Sequence, residues 1–128
     1  MDYGGFIATV ERQAAAPREQ AERAVRATLQ TLAERISGGE VDDLERALPP
    51  ELRGPLERGK ALSNAAARPM SLDDFVRAIA EREGATPAEA REHARAVFAT
   101  LREAVGDEEL ADVAAQLPDD YRALLARP

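Results

Sequence analysis

The sequence predicts an all-α fold of about eight helices, and three observations carry that prediction. The stretch Thr86 to Val105 combines a capping signal, one apolar stripe at spacings of three and four, and a glycine stop. A shift of 69 positions (105 − 36) lays it on Pro17 to Ile36, so that Ala90, Ala94, Val97, Phe98, Leu101 and Val105 fall on Ala21, Val25, Thr28, Leu29, Leu32 and Ile36. The matching continues without a gap from Phe6/Phe75 through Thr31/Thr100, Asp43/Asp112 and Leu48/Leu117 to Arg53/Arg122 and Leu56/Leu125, loops included. The expected architecture is one domain, 1–128, built of two four-helix repeats at 2–58 and 71–127 that face each other across a pseudo-twofold axis. A linker at 59–70 joins them.

Taken in order, Asp2 is a cap for a first helix running to about Ala15, with Tyr3, Phe6, Ile7 and Val10 on one face. Gly4 and Gly5 each cost about 1 kcal/mol of helix propensity, which predicts an irregular first turn. Pro17 opens the second helix at a position where its missing N–H is not needed. That helix runs to Ile36, and Ser37-Gly38-Gly39 ends it through a left-handed glycine. Val41, Leu44 and Leu48 line a short third helix, and Pro49-Pro50 forces a turn into a fourth that carries Leu52 and Leu56. Residues 59–70, GKALSNAAARP and the following Met, lack a clear period and are read as the linker, with an Ala-rich centre whose helicity stays open.

The second pass repeats the first with stronger signals. Ser71 caps a helix lined by Leu72, Phe75, Val76 and Ile79, and Gly84 stops it. Thr86-Pro87-Ala88-Glu89 is a capping box with proline at the first helical position. After Gly106, Asp107, Glu108 and Glu109 place carboxylates on the first turn of a short helix, where the backbone dipole favours them, with Leu110, Val113 and Leu117 facing inward. Pro118 opens the last helix, carrying Tyr121, Leu124 and Leu125.

Seventeen basic and twenty-four acidic residues give a net charge of −7. Residues 1–69 carry −1 and residues 70–128 carry −6. This balance argues against a nucleic-acid backbone or an anionic membrane as main partner. There is no Cys, which excludes disulfides, thiolate metal sites and a Cys nucleophile, and fits a reducing compartment. The start of the chain has no leader pattern, and no stretch approaches the roughly 18 apolar residues of a membrane span. A cytoplasmic, soluble protein is expected. With no Trp, two Tyr and three Phe, the core must be Leu, Val, Ile and Ala, which implies closely approaching helices.

The opening MDYGGF, the block AERAVRATLQTLAERISGGEVDDLERALPPELR and its second version EHARAVFATLREAVGDEELADVAAQLPDDYR together resemble the prokaryotic family known as domain of unknown function 2267, over nearly the whole chain. The resemblance implies a small all-helical protein. It carries over no catalytic or binding residue.

The residues that could bear chemistry have simpler readings. His93 stands four positions after Glu89, a ligand spacing, yet a metal site needs a third ligand, so a His paired with Glu89 beside the apolar stripe is preferred. Ser37, Ser63 and Ser71 read as turn or cap residues and not as nucleophiles. The acidic groups Asp107, Glu108, Glu109, Asp112 and Glu40, Asp42, Asp43 could hold a hard cation, but helix N-terminal charging explains both. Leu48-Pro49 and Leu117-Pro118 are helix-to-helix turns, and Arg53 and Arg122 are expected to pair with carboxylates of the long helices. The leading functional expectation is a non-enzymatic interaction or structural module that self-associates or binds a partner helix, with no cofactor and no metal. A carboxylate-dependent enzyme or small-ligand binder is second. A nucleic-acid binder, using Arg12, Arg18, Arg23 and Arg26 as a stripe, is third. The interaction candidates are Leu62 with its flanking Lys60 and Arg68; the competing reading is that Leu62 plugs the seam between repeats.

Overall fold

Asp2 accepts a hydrogen bond from the Gly5 N–H at 2.8 Å and starts α1 (Tyr3–Ala14) in the computed structural model, which describes residues 1–126. Gly4 and Gly5 are regular helix, not the irregular turn expected, because this cap satisfies a donor the first turn would otherwise leave open. Pro17 is extended and caps α2 (Arg18–Arg35) without being its first helical residue, so the helix starts one residue later than expected. Ser37 does not terminate α2 with a left-handed glycine. Its hydroxyl accepts from the Glu40 N–H and begins α3 (Gly38–Ala47), of which Gly38 and Gly39 are the first residues.

Pro49-Pro50 leads through a 3-10 turn (Pro50–Leu52) into α4 (Arg53–Leu62). The linker therefore starts at 63 and not at 59, a correction with a packing cause. Gly59 is not a breaker but the point where α4 presses onto α2: a Cβ there would lie 2.1 Å from the Gln30 carbonyl oxygen and 2.6 Å from Ala33 Cβ. The Ala-rich centre adds no helical turn. Asn64 and Ala65 take left-handed conformations at φ 54° and 62°.

Ser71 caps α5 (Leu72–Glu83) by accepting from the Asp74 N–H at 3.0 Å, and Gly84 ends it. Thr86 and Glu89 form the expected reciprocal capping box at the start of α6 (Pro87–Val105). Then follow α7 (Asp107–Ala114), a 3-10 turn (Asp119–Tyr121) interposed after Pro118, and α8 (Arg122–Leu125). These eight α-helices and two turns are all the regular structure among the described residues, and there is no strand among them. The expected end of the second repeat, at residue 127, lies outside them.

The two long helices organise the rest. α2 packs against α1, α4, α5 and α6, while α6 packs against α1, α2, α5, α7 and α8. The core draws on both halves in one continuous cluster that includes Phe6, Val25, Leu29, Leu32, Leu44, Leu56, Phe75, Ile79, Phe98, Leu101 and Tyr121. Phe75 stacks on Phe98 with centroids 6.3 Å apart and meets Tyr121 edge-on at 5.1 Å. Ala21, Ala24, Ala33, Ala90 and Ala94 are all buried on the long helices, which is how so few aromatic residues suffice: small side chains let helix backbones come close.

Leu101 is fully buried in this cluster, as is Leu32. Leu101→Ala is expected to cost about 2–5 kcal/mol in chemical denaturation, a large share of the stability of a domain this size. A loss below about 1 kcal/mol would show that the α6 stripe is not the core.

Candidate functional site

The linker face is built around a buried carboxylate. Glu34, near the end of α2, is only 1% exposed. Its Oε1 accepts from Arg68 Nη1 at 2.9 Å, and its Oε2 accepts from Arg82 Nη1 of α5, which also donates to Thr31 Oγ1 at 2.9 Å. A charge taken this far from water requires partners, and two guanidiniums supply them. Arg68 then ties down the chain around it. Its N–H donates to the Glu34 carbonyl at 2.9 Å and its Nη2 to the Leu62 carbonyl at 2.6 Å. A second strap is the Gly38 N–H donating to the Ala65 carbonyl at 3.0 Å. That approach requires glycine, since a Cβ at 38 would stand 2.8 Å from Ala65 Cβ.

Leu62 is 48% exposed, so it does not plug the seam between halves. Of its two flanking cations, Lys60 donates to Asp42 at 2.7 Å and Arg68 is engaged with Glu34. Beside Leu62 the end of α4 and the linker line a shallow groove of about 360 Å³ with Glu57, Lys60, Ala61, Asn64 and Ala65. Sequence reasoning placed Leu62, Lys60 and Arg68 together. It missed Glu34, whose only signal was a carboxylate inside the buried stripe of α2.

His93 is 7% exposed and pairs through Nδ1 with Glu83, not with Glu89. Glu89 is already committed to the helix cap: its carboxylate accepts the Thr86 N–H, which holds it below the usual range. Glu83 ends α5 ten residues before His93, and the turn at Gly84 folds the two together. Burial pushes the Glu83 carboxyl above the usual range, and the His93 contact opposes this. No third ligand joins His93 among the described residues, so the pair reads as a buried tie between α5 and α6.

The two acidic groups, 69 residues apart in sequence, meet. Glu40 and Asp43 of α3 lie with Glu109 of α7 so that one carboxylate oxygen of each is within 4.8 Å of the others. Gln116 closes this junction by accepting the Ser37 N–H at 2.7 Å and donating to Ser37 Oγ at 3.2 Å. Burial first, and then the charges of Glu109 and Asp112, raise the Glu40 carboxyl above its usual range. Helix N-terminal charging thus accounts for each group by itself but not for their juxtaposition. Arg122 pairs with Asp119 three residues away, both exposed, and not with a long-helix carboxylate. The expected stripe is also divided: Arg12 donates to Thr9, Arg18 pairs with Glu22 and Arg23 with Glu19, and Arg26 pairs with none of these carboxylates.

Helical fold and paired buried charges together define an all-helical protein organised on two long central helices. The chain belongs to the DUF2267 family of uncharacterized conserved proteins, whose family model matches residues 3–124. A search of curated proteins found no match. The family's function is uncharacterised, so membership assigns no role to any residue above. No helix among the described residues is long and apolar enough to cross a membrane.

A carboxyl held above its unfolded-state pKa contributes most to stability below that pKa and loses the contribution as pH rises through the folded value. Glu40→Gln should therefore raise the unfolding midpoint at neutral pH, by less than about 1 kcal/mol in stability, because the site is only partly buried. The gain should vanish in mild acid. Equal shifts at both pH values in thermal denaturation would remove the like-charge account.

Proposed function

We propose that this protein works by contact rather than by chemistry, as a helical interaction module built from two copies of one four-helix unit, with the contact made on the linker face. The observation that carries the reading is Leu62: a leucine nearly half exposed on a segment that is otherwise rigidly held. Mobile chain ends often expose apolar residues, but here the Leu62 carbonyl is fixed by Arg68, the following chain by Gly38, and Arg68 itself by buried Glu34. A pre-ordered apolar contact loses less conformational entropy on binding than a floppy one, which favours recognition. The patch around Leu62 is small, which suits a transient partner helix or a second copy of the chain.

The duplication is supported by the helix starts. Tyr3, Arg18, Gly38 and Arg53 are followed by Leu72, Pro87, Asp107 and Arg122, each 69 positions later (72 − 3). Thr31 and Thr100, related by the same shift, each donate to a carbonyl four residues back, at 2.8 Å. We place the linker-face contact in the cytoplasm, a reading supported by the cysteine-free sequence.

Size-exclusion chromatography with light scattering on the wild type and Leu62→Glu tests the reading. The mutant is expected to remain folded and to lose self-association or partner-helix capture. A folded mutant unchanged in both, or a mutant that unfolds, would overturn it.

A further inference from the structure

We propose that the face shared by α2, α4 and α5 carries a binding site for a small phosphate-bearing molecule, formed by Arg23, Arg26, Arg58 and Arg82. These four side chains, with Ala27 and Gln30, line a groove of about 240 Å³. The site uses none of Leu62, Lys60 or Arg68 and goes beyond the contact reading.

Four guanidiniums around one groove run against the character of a chain whose net charge is −7. Converging like charges repel, and the fold offsets that only in part. Arg26 and Arg58 are exposed and make no ion pair among the described residues. Arg23 has Glu19 at 3.4 Å, but that carboxylate is 90% exposed, so the pair is weak and an anion can replace it. Arg82 is the fixed member, held by Glu34 and Thr31. Guanidinium forks match phosphate oxygens in bidentate geometry, and the Gln30 amide adds neutral hydrogen-bonding capacity to the same rim.

The convergence is built by packing. Gly59 lets α4 settle against the Gln30 carbonyl of α2, which brings its neighbour Arg58 across to Arg26. Glu34 is shared with Arg68, Glu83 near Arg23 is paired with His93, and Glu19 is exposed, so the four cations outnumber the carboxylates set against them, an excess suited to a phosphate monoester or pyrophosphate. A nucleic acid fits less well, because the groove is short and the acidic remainder of the chain repels an extended polyanion.

Isothermal titration calorimetry of the full chain with inorganic pyrophosphate at low ionic strength tests the site. Saturable binding is expected, weakened at least about tenfold by Arg26→Gln/Arg58→Gln. Both residues are exposed and unpaired, so the double variant should unfold no earlier than wild type; Arg26→Lys/Arg58→Lys, which keeps the charge, should recover only part of the affinity. Arg53→Gln/Arg122→Gln removes the same charge outside the groove and should bind within about twofold of wild type. Lack of saturable binding, or equal weakening by both glutamine pairs, would overturn the proposal. So would a single-stranded oligonucleotide that binds more tightly than pyrophosphate with a salt dependence of several phosphates.

Discussion

The buried carboxylate of Glu34 is the interaction on which the arrangement of the molecule's two distinctive surfaces depends. An ionised side chain at 1% exposure is tolerated only if its oxygens are occupied. The two guanidiniums that occupy them come from different segments, the linker and α5. Arg82 belongs to α5, so its bond ties the first half's long helix to the second half's first helix; Arg68 belongs to the linker, so its bond determines where the connecting chain lies. Arg68 keeps half of its side chain exposed and Arg82 about three tenths, so the bridges are only partly taken from water and hold less stability than fully buried pairs would. What the triad contributes is therefore placement more than stability: Arg82 is delivered to the arginine groove and the Leu62 carbonyl is delivered to Arg68.

A second constraint is the closeness of α4 to α2. Gly59 against Gln30 and Ala33, and Gly38 against Ala65, are contacts that no side chain would allow. Together with the alanines buried on both long helices they draw backbones inward, in keeping with a core containing only Phe6, Phe75, Phe98 and Tyr121 as buried aromatic rings. The tight α2–α4 contact is felt at the surface, since it sets the distance between Arg26 and Arg58. Core composition and surface charge are thus linked through two helix backbones.

Much of the fold was legible because helix signals are local. The Thr86 capping box, the Ser71 cap and the Gly84 stop each depend on residues within four positions, and each is found as expected. The Gly4-Gly5 turn and the Arg122 pair turned on residues within three positions, but the larger misreadings required longer-range information. Gly59 and Gly38 looked like punctuation because a glycine that breaks a helix and one that admits a neighbouring backbone are identical in sequence. His93 was matched to Glu89 by helical spacing, but a cap had prior claim on Glu89, and the turn at Gly84 supplied Glu83 instead. The acidic groups at 40–43 and 107–112 were each explained locally, and only the packing of α3 beside α7 brings them together. The arginine groove draws on positions 23, 26, 58 and 82, three helices that no periodicity connects.

The central claim is that Glu34 holds the linker and the first half together without being what keeps the core folded. Hydrogen–deuterium exchange on the wild type and Glu34→Gln tests it most directly. The account predicts faster exchange confined to residues 63–70 and the Gly38 N–H at the start of α3, with protection in α2 and α6 retained. Unchanged exchange in the linker, or loss of protection across both long helices, would contradict it.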